Sequence, residues 1–509
     1  MKTILKNVAI ITLFSVLTRC LGFLFRIYLS RVVGAEALGM YQVALSVFLV
    51  LLTLVSSGFT LIISRMTASF RVTSDKKSIA SLTTSSLFVG LFVSLFLCII
   101  VLVFQDLFAT IFTDENCLCV LIILLPSLVV SALYSVFRGV MWGCDNYFGL
   151  CVSEFFEQIV KICVCVLLVG TGLSALQNAV SVAWAFTISN VASAIFVAVL
   201  FFVYGGKLGK PTRIYKSVIK HSAPITGVRF LSSFIQPIIA IILPAVLVSI
   251  GYSTGQAMEF YGVVVGMVLP ILFLPSTLIG SLATALVPDI SMAMTKNDNK
   301  HIENRVKSSL KFTLFISFLV VPVFASIGDK IGIFLYDNNL SGVLLQNASW
   351  LVIPLGITNI TSSILNSVGL EVRSFVNYVV GDIFMFLSIL FLPKYIGIGA
   401  LIVGLGVSLV VASILNIFML KRKLHIKFET LKPLAIFSLI SITVISCVSF
   451  ASAFLSFVLP LFFDIVLSTL LSICLFLLFC SIFGLVDLSF VKGKITHIAK
   501  KKLIKKAEK

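Results

Sequence analysis

The stretch Leu17–Gly34, LTRCLGFLFRIYLSRVVG, carries arginines inside a run that is otherwise apolar enough to cross a membrane. Arg19 and Arg26 are seven residues apart, and this spacing places them on one face of a helix. An arginine at the bilayer centre costs at least about 2.5 kcal/mol unless water, a carboxylate or an anionic ligand meets it. The position of Arg19 favours a functional role, whereas Arg26 is equally compatible with snorkelling to the interface.

The composition of the whole chain predicts a membrane protein. Of its 509 residues, 59% are hydrophobic and 11% are charged, and the mean hydropathy is +1.16. Globular domains carry about 25% charged residues, so lipid must solvate part of this chain. The net charge of +18 does not predict a nucleic-acid partner, because the basic residues lie in short loops between apolar runs.

Apolar segments of about 20 residues predict an all-α polytopic protein with about fourteen transmembrane helices, among them 150–169 and 260–287. Lys and Arg concentrate in the even-numbered loops and at the C-terminus, whereas the odd-numbered loops are nearly free of them. Arg31 is placed in the first external loop, beside Glu36. Positive residues mark the cytoplasmic side. Both termini are therefore predicted to be cytoplasmic.

The loops leave no room for an extramembrane catalytic domain, since none exceeds about 25 residues. The stretch GGKLGKPT, 205–212, has the wrong spacing for a nucleotide-binding loop. The histidines lie in or beside basic loops, so no metal site is expected. We therefore expect no enzyme, no catalytic residues and no cofactor, with coupling to the membrane potential or to a Na⁺ or H⁺ gradient.

A faint internal repeat relates the first half of the chain to the second. Arg19 and Arg229 are offset by 210 residues, and Pro126 and Pro354 by 228. Six spans per half give parallel repeats about an axis along the membrane normal, with a site between them. The predicted division is an N-lobe at 1–215, a C-lobe at 216–425, two further helices at 426–488 and a basic tail at 489–509.

Two more arginines are candidates for the same site. Arg229 lies deep enough in the seventh span to join Arg19 and Arg26 if the halves face each other. Arg65 lies near the end of the second span, where a topology anchor is at least as good an interpretation.

Acidic residues also occur in the predicted spans. Glu154, Glu157 and Lys161 share one helical face, and Glu157 precedes Lys161 by four residues, the favourable order for an ion pair. A self-neutralising stripe along a wet cavity is slightly favoured over a cation- or proton-sensitive gate. Asp382 is the matching charge in the second half.

The seventh and eighth spans are rich in helix-bending residues. Pro270 and Pro275 can kink a helix, and Gly262 and Gly266 form a close-packing face. These residues predict a hinge between the lobes, with plain helix packing as the equal alternative.

The chain resembles the stage V sporulation protein B-like polysaccharide biosynthesis proteins of the multidrug/oligosaccharidyl-lipid/polysaccharide (MOP) exporter superfamily, which includes the lipid II flippases. The resemblance rests on four stretches: TRCLGFLFRIYLSRVVGAEALGMYQ at 18–42, FRGVMWG at 137–143, EFFEQIVKI at 154–162 and FLPSTLIGSLATALVPDIS at 273–291. It implies a MATE-like bundle of two six-helix lobes with alternating access, in a bacterial plasma membrane.

The resemblance also implies a central cationic cavity. Arg19 matches a family arginine, Arg26 is displaced by one residue from its counterpart, and Arg65 is a candidate match. The family's second-lobe arginine is missing from GMVLPILFLP at 266–275, and Arg229 is the hypothetical substitute. The last two spans would supply a groove for a lipid tail.

The main hypothesis is a monomeric flippase for an undecaprenyl-pyrophosphate-linked sugar, which includes lipid II, in cell-wall or polysaccharide biosynthesis. Arginine binds phosphate oxygens well, which matches this substrate. The basic tail is expected to bind anionic lipids. The alternatives are a cation-coupled exporter of organic cations from the same superfamily and, less favoured, a membrane glycosyltransferase or polymerase.

Overall fold

The computed structural model describes residues 2–212, 214–296, 298–424 and 431–485. Within these ranges the chain is helical and contains no strand, which confirms the predicted all-α class. Helices are the expected solution in hydrocarbon, because each one satisfies its own backbone hydrogen bonds. Fourteen helices of the described part are long and apolar enough to cross a membrane. The predicted basic tail, 489–509, lies outside the described residues.

The first part of the chain contains long helices separated by short turns. They are α1 (Lys2–Val33), α2 (Ala35–Val72), α3 (Lys76–Val103), α4 (Gln105–Ile111), α5 (Asn116–Gly143), α6 (Tyr147–Leu168), α7 (Ala175–Val203), α8 (Ile214–Ser233), α9 (Ile235–Ser249) and α10 (Thr254–Tyr261).

A π-helix, Gly262–Val268, continues α10 directly, and a 3₁₀ turn, Ser349–Leu351, joins α14 to α15. The remaining helices are α11 (Leu269–Leu272), α12 (Leu274–Thr295), α13 (Asn299–Tyr336), α14 (Asn339–Ala348), α15 (Val352–Ser367), α16 (Glu371–Phe391), α17 (Pro393–Ile396), α18 (Gly399–Leu424), α19 (Leu431–Val458) and α20 (Leu461–Ile482).

The count of fourteen agrees with the prediction, but its members differ in two places. α6 corresponds to the predicted span 150–169 and is missing from the fourteen, because it carries three charged side chains. The predicted span 260–287 is instead divided into Thr254–Leu272 and Leu274–Thr295. Pro275 explains the break at Phe273, since a proline has no backbone N–H to continue the hydrogen bonds of the preceding helix.

Local sequence sets the ends of the helices. Gly34 separates α1 from α2 with a φ of 83°, in the left-handed region that favours glycine. Asp75 begins α3 by accepting a 3.0 Å hydrogen bond from the Ser78 backbone N–H. Arg31 lies in the last turn of α1, so its predicted place in an external loop was wrong, because α1 continues to the glycine.

The first compact unit contains the described residues up to Pro270 and the segment Phe386–Leu401. Its central helix is α2, which packs against α5, α7, α8 and α10. A Cβ atom at Gly143 of α5 would lie 2.6 Å from the Ser64 carbonyl oxygen of α2. The absence of a side chain there lets the two helices approach closely.

The second compact unit contains Ile271–Met385 and the described residues from Ile402 onward. Its central helix is α13, which packs against α12, α14, α15, α19 and α20. The rings of Phe318, Phe437 and Phe476 stack across α13, α19 and α20, with centroids 5.8 and 6.2 Å apart. These contacts attach the last two helices to α13.

The predicted lobes at 1–215 and 216–425 stay a prediction. The compact units divide the chain at other positions, because α8, α9 and α10 all pack against α2 and thereby join the first unit. The predicted boundaries of the last two helices, 426–488, fall partly on residues outside the described ranges.

Candidate functional site

Two arginines are exposed on the membrane-spanning part of α1. Arg19 and Arg26 share a face, and neither forms an ion pair or hydrogen bond with any residue that the structure describes. α1 packs on α6 through other residues: Phe14 lies edge-on against Phe155 with ring centroids 5.9 Å apart, and a Cβ at Gly22 would lie 3.7 Å from the Gln158 amide. The packing of α1 therefore leaves both guanidinium groups available. We call this pair the arginine face of α1.

The first carboxylate of α6 is paired with an arginine of α5. Glu154 Oε1 lies 2.5 Å from Arg138 Nη2, and the same guanidinium lies 5.6 Å from the ring centroid of Trp142. Arg138 lies within α5, which continues to Gly143, and was not predicted from the sequence as a site residue. The run FRGVMWG could have indicated that Arg138 is helical, since it extends the helix by more than a turn.

The second carboxylate of α6 is paired within its own helix. Glu157 Oε1 lies 3.3 Å from Lys161 Nζ, and only 23% and 18% of the two side chains are exposed. Lys161 Nζ also lies 5.1 Å from the ring centroid of Phe186 on α7, within cation–π range. The predicted Glu157–Lys161 pair is thus seen in the geometry. The gating role of Glu154, Glu157 and Lys161 stays a prediction.

Arg229 and Arg65 lie in the first unit and have different surroundings. Arg229 Nη1 donates a 3.0 Å hydrogen bond to the Ser57 carbonyl of α2. This contact is supported by the close crossing of α8 over α2 at Gly58, where a Cβ would overlap Thr226. Arg65 is exposed on α2, seven residues before its end at Val72. Whether either arginine meets the substrate stays a prediction.

Asp382 is buried at the contact between α16 and α18, in the second unit. Its Oδ1 accepts a 3.0 Å hydrogen bond from the Ser408 hydroxyl, and a Cβ at the adjacent Gly381 would lie 2.5 Å from the Ser408 carbonyl. One turn away, the Asn377 amide donates a 2.9 Å hydrogen bond to Asn416. Asp382 thus belongs to a polar helix–helix contact, and its coupling role stays a prediction.

The predicted hinge residues cluster where the two compact units divide. The boundary falls directly after Pro270, and Pro275 lies in the first turn of α12. Gly262 and Gly266 belong to the π-helix, where a Cβ would overlap the Ala35 carbonyl and the Leu38 side chain respectively. The two glycines therefore pack tightly on α2. The hinge role itself stays a prediction.

An ion pair that the sequence did not predict connects the last helices to α13. Lys330 Nζ lies 2.6 Å from Asp464 Oδ2 and also donates to the carbonyl and hydroxyl of Ser452. The Ser468 hydroxyl donates a 3.0 Å hydrogen bond to Asp464 Oδ1. The available signal was Asp464, a lone charge within a long apolar run.

The described titratable side chains form ion pairs rather than a metal site. In the part of the chain that the structure describes, no group of three or more His, Cys, Asp or Glu could hold a metal ion. His301 instead lies 3.2 Å from Asp289, which also pairs with Arg305 at 2.8 Å.

Sequence comparison identifies the family of the chain. The family model described as "Polysaccharide biosynthesis protein" matches residues 4–294, more than half of the 509 residues. Stage V sporulation protein B of Bacillus subtilis (strain 168) is 27% identical over 362 residues, which cover 68% of this chain and 69% of that protein.

Solved structures show the same fold. The lipid II flippase MurJ, in an inward closed conformation, matches with a TM-score of 0.71 and 18% identity over 93% of this chain and 98% of its own. An inward-facing MATE family transporter of the MOP superfamily matches with a TM-score of 0.66 and 17% identity over 80% of this chain and 94% of its own. The chain is therefore a multi-pass membrane protein that belongs to the polysaccharide biosynthesis protein family and has the fold of the MOP superfamily transporters.

Proposed function

We propose that this protein is a flippase that moves an undecaprenyl-pyrophosphate-linked sugar from the inner to the outer leaflet of a bacterial plasma membrane. The family and the fold support membrane transport in polysaccharide biosynthesis. The substrate class is inferred from the charges in the first compact unit.

The balance of these charges is the observation that carries the proposal. Both carboxylates of α6 are neutralised, Glu154 by Arg138 and Glu157 by Lys161. The arginine face of α1 has no such compensation among the described residues. The uncompensated charge in these spans is therefore positive, which favours an anionic substrate and disfavours an organic cation.

The spacing of the two arginines suits a ligand with phosphate groups. Arg19 and Arg26 lie on the same side of α1, separated by about 10 Å along the helix axis. Both side chains are long, and each guanidinium can bind phosphate oxygens in bidentate fashion. A diphosphate with its attached sugar can therefore contact both groups at once.

We propose that transport involves alternating exposure of this site to the two leaflets, without making or breaking a covalent bond. An anionic substrate moving outward is assisted by a membrane potential that is negative inside, by about 2.3 kcal/mol per charge for each 100 mV. The potential, or a Na⁺ or H⁺ gradient, is the proposed energy source. We also propose that both termini lie in the cytoplasm. A C-terminal reporter that is active only in the periplasm or outside the cell tests this orientation and should be inactive.

The test of function is the leaflet distribution of a labelled lipid-linked precursor in cells depleted of the native protein. Arg19→Gln and Arg26→Gln should each lower translocation about tenfold or more, the usual consequence of losing a charge-assisted hydrogen bond. Arg31→Gln is the matched control, because it removes the same charge from the end of the same helix. Unchanged translocation in both test variants would reject the assignment, whereas efflux of cationic dyes that depends on Glu154 or Glu157 would favour the organic-cation exporter.

A further inference from the structure

A second basic site lies within the first compact unit, away from the arginine face of α1. A cavity of about 940 Å³ lies between the ends of α2, α3, α5 and α7 and the loop at 204–212. Its charged lining consists of Arg71, Lys76, Lys77, Lys207 and Lys210. We call it the lysine cavity.

The loop at 204–212, which the sequence excluded as a nucleotide-binding loop, forms one wall of the cavity. Its backbone is fixed to α3: the Gly209 N–H lies 3.0 Å from the Thr84 hydroxyl and 3.2 Å from the Ala80 carbonyl. Further along, the Thr212 N–H donates a 3.0 Å hydrogen bond to the Ser85 hydroxyl. These bonds hold Lys207 and Lys210 opposite the start of α3.

Glycine is required at the points where this loop turns and touches its neighbours. Gly205 has a φ of 82°, which is unfavourable for any residue with a side chain. A Cβ at Gly206 would lie 2.5 Å from the Phe201 ring, and one at Gly209 would lie 3.0 Å from the Ser81 backbone nitrogen. The glycines therefore fix the backbone of the loop that forms this wall of the cavity.

The cavity carries an excess of positive charge. Arg71 is paired with Asp145 at 2.5 Å, but none of the four lysines forms an ion pair with a residue in the described ranges. The nearest other carboxylate in sequence, Asp75, accepts hydrogen bonds from the Ser78 hydroxyl and backbone N–H and also interacts electrostatically with Lys77. The five basic side chains of the lining still outnumber these two carboxylates, and the net positive charge around one concave site favours a ligand with phosphate charge.

Exposed apolar side chains beside the cavity indicate contact with lipid. Val72 is 87% exposed and Val203 is 73% exposed, and Tyr204 and Leu208 are also exposed. Apolar and tyrosine side chains next to lysines are typical of the membrane–water interface. A phosphate bound among the lysines would therefore lie at headgroup depth, with acyl chains beside Val72 and Val203.

We propose that the lysine cavity binds the phosphate headgroup of an anionic phospholipid, as a site separate from the one that binds the transported substrate. Each lysine near an anionic surface contributes about a fivefold gain in affinity. Loss of Lys207 and Lys210 together is therefore expected to weaken binding about 25-fold. This proposal does not depend on the identity of the transported molecule.

The test measures binding of short-chain phosphatidylglycerol, short-chain phosphatidylcholine and inorganic pyrophosphate to the purified full-length protein in detergent. The test variant is Lys207→Gln with Lys210→Gln. The matched control is Lys216→Gln with Lys220→Gln, which removes the same charge from exposed positions of α8 that do not line the cavity. Arg19→Gln with Arg26→Gln separates this site from the substrate site.

The expected result is that phosphatidylglycerol binds more tightly than phosphatidylcholine or pyrophosphate, and that only the test variant loses this binding. If phosphatidylglycerol binding weakened equally in the Lys216/Lys220 control, diffuse surface charge would explain the effect and the proposal would be overturned. Tighter binding of pyrophosphate would assign the cavity to a soluble phosphate ligand instead. Loss of binding in the Arg19/Arg26 variant would place the lipid in the substrate site.

Discussion

The Lys330 ammonium group lies 2.6 Å from the Asp464 carboxylate, which is completely buried between α13, α19 and α20. Removing one partner leaves the other as an unpaired charge in a medium of low dielectric constant. We expect Asp464→Asn or Lys330→Met to lower the free energy of unfolding by about 3–5 kcal/mol. The midpoint of thermal unfolding of the detergent-solubilised protein measures this loss.

The double variant Lys330→Met with Asp464→Leu should recover much of that stability, because it removes both charges together. The exposed pair Glu303–Lys307 on the same helix α13 is the control, with side chains 2.7 Å apart. Its removal should change stability by only about 0.3–0.5 kcal/mol. If removal of Lys330 or Asp464 changed the stability as little as removal of the exposed pair, the stabilising role of the buried pair would be contradicted.

The contact of the π-helix with α2 leaves no room for a side chain. A Cβ at Gly262 would overlap the Ala35 carbonyl and lie 2.7 Å from the Gly39 backbone nitrogen. Gly262→Ala should therefore destabilise the first unit by about 1–3 kcal/mol, as overpacking does. Gly280→Ala on α12 is the matched variant, because nothing lies within 4 Å of its Cβ position, and it should be neutral or slightly stabilising. Equal unfolding temperatures for both variants would show that α2 can move to make room for a side chain at position 262 without loss of stability.

The Glu157–Lys161 pair should tolerate joint neutralisation better than single neutralisation. Glu157→Gln leaves the Phe186 ring, 5.1 Å away, as the partner of the Lys161 ammonium among the residues that the structure describes. Lys161→Gln leaves an unpaired carboxylate on α6. We expect each single variant to reduce precursor translocation more than Glu157→Gln with Lys161→Gln. If the double variant is as inactive as the worse single one, the individual charges act in transport beyond neutralising each other.

The start of α3 should respond to acid in a defined direction. Hydrogen bonds from the Ser78 hydroxyl and backbone hold the pKa of Asp75 below its usual value. Since the folded pKa is lowered, the stabilising effect is complete above the unfolded value of about 3.9 and is lost as the pH falls through the folded pKa. Hydrogen-exchange protection of the Ser78 amide, corrected for intrinsic rates, should stay constant from neutral pH to about pH 5 and then decrease below pH 4.

Asn146 provides the comparison for this measurement. Its side chain accepts a hydrogen bond from the Gly149 N–H at the start of α6 and cannot titrate. Protection at Gly149 should therefore show no matching decrease. A parallel loss at both amides would indicate general acid unfolding.

Hydrophobic runs were sufficient to predict the all-α membrane fold, because helices in lipid need only length and apolar composition. The Glu157–Lys161 pair was also predictable, since both partners lie on one helix at a fixed spacing. The Arg138–Glu154 and Lys330–Asp464 pairs join different helices, and their partners depend on tertiary packing that one sequence does not specify. The break at Phe273 was missed because the apolar run continues across it, although Pro275 marked its position.

Between Gly262 and Val268 the backbone follows a π-helical hydrogen-bond register. Such a segment holds an extra residue compared with an α-helix, in which each residue turns by about 100°. If the segment returns to the α-helical register, the side chains before it turn by about 100° against those after it, without any tilt of the helix axis. Such a turn would move Gly262 and Gly266 off their close contact with α2, so an axial swivel at these seven residues beside Pro270 stays a prediction.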